Sequence, residues 1–163
     1  MAESDGLAGV ETVLKERGID LATLIKDTHA GTTLILSSLL EGMFAITLEA
    51  AMGHLSKNSL KKLLTGYGPL SSFSAKIDIA YGMKLITKEM HSNANLIRSM
   101  RNKFAHGTTK LDFESGDIVK IGSALSTFDQ TQPDVLAALM KAIDGISLHL
   151  RSETKRYVVA AAP

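Results

Sequence analysis

The chain contains no cysteine and no tryptophan, and only three prolines. Without cysteine there is no disulfide framework, no thiolate site for zinc or an iron–sulfur cluster, and no thiol nucleophile. Aromatic residues make up only 5% of the chain, so a core has to be assembled from Leu, Ile, Ala, Met and a few Phe. Of these, Leu, Ala and Met are strong helix formers. So few prolines leave long stretches with every backbone donor in place, as helices require. Charge of a single sign is scarce too. Eighteen Lys and Arg against seventeen Asp and Glu give +1, which provides no global field to attract nucleic acid.

What remains is 45% hydrophobic and 21% charged, the composition of a globular protein rather than a disordered one. A length of 163 residues suits one domain spanning 1–163, with 1–8 and 159–163 expected to be flexible. Met1 to Gly6 carries Glu3 and Asp5 and no basic patch, so no signal peptide and a cytoplasmic location are expected. The most apolar region, Thr32 to Leu55, is interrupted by Glu41, Glu49 and His54. Its longest uncharged run, Ala30 to Leu40, is 11 residues, whereas a membrane span needs about 20. It reads as a core helix, and no membrane is expected as a partner.

Helical periodicity runs along most of the chain and no period-2 alternation is long enough for a strand. Val10 to Arg17 makes a short amphipathic segment stopped by Gly18, and Asp20 sits at an N-cap position ahead of Leu21, Leu24 and Ile25. The pattern continues through Ile35, Leu39, Met43, Ile46, Ala50 and Leu55, with Gly31 as the expected break. Its second half is apolar almost all round, which predicts packing on several sides, one of them a second copy of the chain. A polar helix over Ser56 to Gly66 ends in Gly-Tyr-Gly-Pro. Further helices are expected over 73–86, 88–106, 117–126 and 133–158, with Thr87 as a cap and Pro133 in a first turn. The predicted fold is an all-α bundle with one long central helix over Ala30–Leu55.

Catalytic fingerprints are absent: there is no Walker loop, no GxGxxG after a strand, no HExxH and no GxSxG elbow. His29, His54, His91, His106 and His149 lie too far apart in sequence to suggest a ligand cluster. Asp112, Glu114 and Asp117 have the oxygen chemistry for a hard cation but not the spacing of a calcium loop. They read as a solvated connection, and neither a metal nor a cofactor is expected. Two short basic clusters, Lys57, Lys61 and Lys62, then Arg98, Arg101 and Lys103, read first as solvated helix faces.

Two separated segments carry more information. Gly68-Pro69-Leu70 is followed by Phe73-Ser74-Ala75-Lys76-Ile77-Asp78, and Leu96-Ile97-Arg98 by Arg101-Asn102-Lys103-Phe104-Ala105-His106. In this order they resemble the mannitol operon repressor family over about residues 68–106. The motif residues are Pro69, Phe73, Lys76, Asp78, Arg98, Arg101, Asn102, Phe104 and His106. The resemblance implies an all-helical bacterial regulator of sugar-alcohol metabolism. It implies no DNA-reading element, and no helix-turn-helix with a basic second helix is visible.

Arg101, Asn102 and His106 also resemble the motif of HEPN-type ribonucleases, in which Arg101 would hold a phosphate and His106 would act as general acid or base. Residues five apart on a helix sit about 140° around its axis, so this pair converges only at a frayed end or across two subunits. Packing is the competing role, and the favoured one. His106 would suit a helix C-terminus, Asn102 would be buried against loop backbone, and Arg101 would pair with a carboxylate such as Asp78. The sequence reading is therefore a homodimeric regulator that acts on a protein partner of unknown identity, with direct DNA binding doubtful.

Overall fold

The computed structural model describes residues 15, 16, 18, 29–106 and 111–160. It contains α1 (His29–Ala51), α2 (Lys57–Leu64), α3 (Phe73–Gly82), α4 (Lys88–His106), α5 (Gly116–Gly122) and α6 (Val135–Ala160). No strand occurs among the described residues. The all-α bundle expected from composition and periodicity is the fold observed. The expected terminus before residue 8, the helix over 10–17 apart from Lys15 and Glu16, the Asp20 cap and the stop at Gly107 lie outside the described residues.

Helix α1 is the central element, with α3, α4 and α6 all packed on it. By length and composition it could cross a membrane, yet Leu36, Leu40, Phe44 and Leu48 have no accessible surface inside the bundle. Phe73 of α3 meets Phe44 edge to face at 5.9 Å. Ile77 of α3, Ile97 and Met100 of α4, and Leu139 and Ile143 of α6 complete the fully or almost fully buried core. Gly31 does not break the helix; it lies in the first turn of α1.

Several element ends differ from the sequence expectation, each for a local reason. Helix α1 stops at Ala51 rather than Leu55, because Gly53 and Leu55 turn back onto Ala50 and Met52 and Ser56 begins α2. Helix α6 starts at Val135, not at Pro133. Asp134 is its cap, its Oδ1 accepting from Ala137 N at 2.9 Å, so the proline sits just outside the helix. It ends at Ala160, two residues beyond the expected 158.

The expected helix over 73–86 ends at Gly82. Lys84 adopts φ 59°, Lys84 N donates to Tyr81 O and Leu85 N reaches back to Ala80 O, each at 2.9 Å. This pair of bonds is a Schellman turn, with lysine where glycine is usual. It folds Leu85 (0% exposed) and Ile86 (4%) into the core, and Leu85 O lies 3.0 Å from His149 Nε2 on α6. Thr87 then caps α4 through Met90 N at 3.2 Å.

A non-glycine residue in the left-handed region costs about 1–2 kcal/mol, while glycine adds roughly 0.5–1 kcal/mol of unfolded-chain entropy. Lys84→Gly is therefore expected to stabilise the fold by up to about 1 kcal/mol, measured as a raised midpoint in urea denaturation at unchanged slope.

Candidate functional site

Helix α4 carries one stripe of polar residues along its length. His91, Asn95, Arg98, Asn102 and His106 follow one another at steps of four, three, four and four, the spacing that keeps side chains on one face. Asn93, Ala94, Ile97 and Met100 face the core instead. The polar stripe is half-buried from His91 to Asn102 and exposed at His106.

Its first part is joined to α3. His91 Nε2 lies 2.8 Å from Asp78 Oδ1, and the imidazole stacks on the Tyr81 ring at 4.6 Å and 29°. Asn95 Nδ2 donates to His91 O at 3.2 Å, and Arg98 Nε donates to Asn95 Oδ1 at 3.3 Å. Asp78, His91, Asn95 and Arg98 thus form one linked surface chain. Asp78 is taken by His91, so the expected Arg101–Asp78 pair is not formed.

His106 sits in the last turn of α4, where a helix C-terminus was expected to suit it; the burial expected of the same turn is not seen. Asn102 is half-buried and His106 exposed, and neither bonds to loop backbone among the described residues. Arg101 is half-buried. The helix stays regular through His106, so Arg101 and His106 point about 140° apart. A single chain does not assemble the phosphate-holding Arg and the acid–base His into one site.

Of the remaining motif residues, Phe73, Lys76 and Phe104 pack between elements and Pro69 is exposed. Phe73 is buried beside Phe44. Lys76, 5% exposed, donates to Glu41 of α1 at 2.9 Å and to Ser71 O. Phe104 meets Phe113 edge to face at 5.7 Å. Phe113 in turn stacks on His29 at 4.5 Å and donates its N–H to His29 Nδ1. Pro69 lies exposed beside an open depression next to α2.

The acidic connection does not converge on one point. Asp112 closes onto the Ser115 hydroxyl at 2.7 Å, while Asp117 reaches Lys103 Nζ at 2.7 Å. The hydrogen bond from Ser115 is the main cause that lowers the Asp112 pKa. For Asp117 the hydrogen bond and charge of Lys103 lower it.

Sequence reasoning missed Tyr81, Asn95 and the buried Asn93. The last is held in a clamp in which Asn93 Nδ2 donates to Ser126 Oγ at 2.8 Å and Ser126 Oγ donates to Glu89 Oε1 at 2.8 Å. The 91-95-98-102-106 spacing was a readable signal for the stripe; nothing local announced the clamp.

Two outcomes follow from this geometry. A carboxylate with a lowered folded-state pKa stabilises above its ordinary pKa, and that contribution is lost as pH falls through the folded value. Asp117 is therefore expected to titrate below an unperturbed aspartate in a carboxyl-detected NMR titration, and Lys103→Met should bring it back toward the ordinary value. His106→Ala removes an exposed side chain, so it should shift stability by less than about 0.5 kcal/mol, checked by denaturant unfolding.

Comparisons with known proteins agree with the motif. The family described as mannitol repressor matches residues 36–160. No curated protein sequence matches the chain. Among solved structures, a chain of the X-ray structure of the MtlR–HPr complex from Escherichia coli has a TM-score of 0.63 and 17% sequence identity. The match covers 92% of this chain and 98% of that one, and it shows a shared fold. With the family matched from within α1 to the last residue of α6, the chain belongs to the mannitol repressor family.

Proposed function

We propose that the chain regulates expression of sugar-alcohol genes by engaging a protein partner rather than by reading DNA through a conventional motif. The observation that carries this reading is the structural neighbour, which was solved as a complex with HPr. The net charge of +1 is in keeping with it, because phosphate neutralisation supplies much of the affinity of DNA-binding proteins. On this reading, Arg101, Asn102 and His106 at the last turn of α4, which meet no side-chain partner among the described residues, are available to the partner. The chain also acts as a homodimer. Ile35 and Ile46 on α1 and Leu148 on α6 remain exposed, and a second copy would cover them.

Calorimetric titration with HPr from the same organism tests the partner. Saturable binding with a dissociation constant of about micromolar order is expected, weakened by Arg101→Ala. Absence of heat and of co-elution would remove the partner reading. Sedimentation equilibrium should give about twice the chain mass of 17.5 kDa. The chain alone should show no tight, salt-sensitive shift of a promoter fragment.

A further inference from the structure

Acidic residues are absent from the whole stretch 50–77, which carries Lys57, Lys61, Lys62 and Lys76. The rest of the chain holds fourteen basic and seventeen acidic side chains. A net charge near zero therefore conceals a positive segment in an otherwise acidic chain. Lys76 is committed to Glu41 in the core. Lys57, Lys61 and Lys62 are exposed and meet no carboxylate among the described residues.

Helix α2 and the turn after it shape this segment into a depression of about 490 Å³, with Asn58, Lys61, Lys62, Tyr67 and Pro69 among its walls. Its floor is fixed. Gly68 N donates to Thr65 O at 3.0 Å and Leu70 N to Leu63 O at 2.9 Å. A Cβ at position 68 would collide with the carbonyl oxygens of Lys62 and Leu63, so only glycine fits there. Gly66 adopts φ 61°, and Tyr67 after it stands wholly exposed. Two lysines in the last turn of a helix suit its dipole. That accounts neither for Lys57 at the opposite end nor for an aromatic ring held out in water beside them.

Three occupants have the right charge. A small anion is disfavoured, because ligand sites typically enclose 70–90% of the ligand and this depression lies open to solvent. Duplex DNA is disfavoured, because three lysines can neutralise about three phosphates where DNA binders commonly neutralise about 6–10. A protein segment fits better. Tyrosine is an enriched anchor of protein interfaces, a lysine rim steers a negative partner onto it, and the Asn58 amide can pair with a passing backbone. We propose that the α2 patch, Lys57, Lys61, Lys62 and Tyr67, is a docking surface for a carboxylate-rich segment of a protein partner. The proposal rests on the charge and shape of α2, so it stands whether or not HPr binds.

The test uses the full chain and a fluorescein-labelled peptide of about 12 Asp and Glu residues with two leucines, in roughly 50 mM salt where screening is weak. Saturable anisotropy is expected, with amide shifts confined to residues 57–68. The Lys61→Glu/Lys62→Glu pair should weaken binding by about tenfold or more, and Tyr67→Ala should weaken it several-fold. The charge-matched pair Lys141→Glu/Lys155→Glu, at two other exposed lysines, should leave it within about twofold. All these side chains are exposed, so unchanged circular dichroism confirms folded variants. Three results would overturn the proposal: no saturable binding, equal loss in both double variants, or tighter binding of a duplex of about 20 base pairs that the Lys61/Lys62 pair abolishes.

Discussion

The burial of Leu36, Leu40, Phe44 and Leu48, none with accessible surface, is the constraint on which the other helices depend. A stride of four residues advances about 40° beyond a full turn at each step. The buried line therefore winds around α1 instead of running straight along it, and α3, α4 and α6 share it. Each such side chain contributes about 1.5–3 kcal/mol by leaving water. With no tryptophan and five phenylalanines in the chain, aliphatic and Met side chains fill most of the volume. The few aromatic contacts fall at joints: Phe44 with Phe73 between α1 and α3, and Phe104 with Phe113 and His29 where α4, the following connection and α1 come together.

The hydrophobic driving force is itself non-directional, and close packing of side chains constrains the helices only by shape. Polar clamps set the register. Lys76 reaches Glu41 across α3 and α1. Thr47 Oγ1 on α1 lies 2.9 Å from Thr154 Oγ1 on α6. Asn93 takes the Ser126 N–H at 3.1 Å, holding the segment after α5 against α4. Removing one partner of such a contact leaves a buried polar group unmatched, at a cost of about 1–3 kcal/mol. These contacts join residues from 33 to 107 positions apart in sequence.

That separation marks the boundary of what could be read beforehand. Helix class, the central role of α1, the Thr87 cap and the start of α3 at Phe73 were legible, since each depends on periodicity or capping within a few residues. The ends of α1 and α3 were not. Lys84 carries no propensity for the left-handed region, and it adopts that conformation because Leu85 and Ile86 gain burial by it. Tertiary packing overrode the local preference. Pro133 was misplaced for a smaller reason: Asp134 is the better cap, and the helix begins after it.

The motif that identifies the family shows why a site is harder to read than a fold. Arg101, Asn102, Phe104 and His106 are near neighbours in sequence, but each residue turns about 100° around the helix axis. Phe104 goes to the Phe113 contact, while Asn102 and His106 continue a stripe begun at His91. Arg101 lies off that stripe. Asp78, from the other half of the motif, joins the stripe only because α3 packs beside α4 and brings its carboxylate to His91. The string of letters therefore divides into scaffold and surface. The same holds for charge. A total of +1 concealed three exposed lysines gathered by one short helix, because a sum over the chain carries no information about where its members sit.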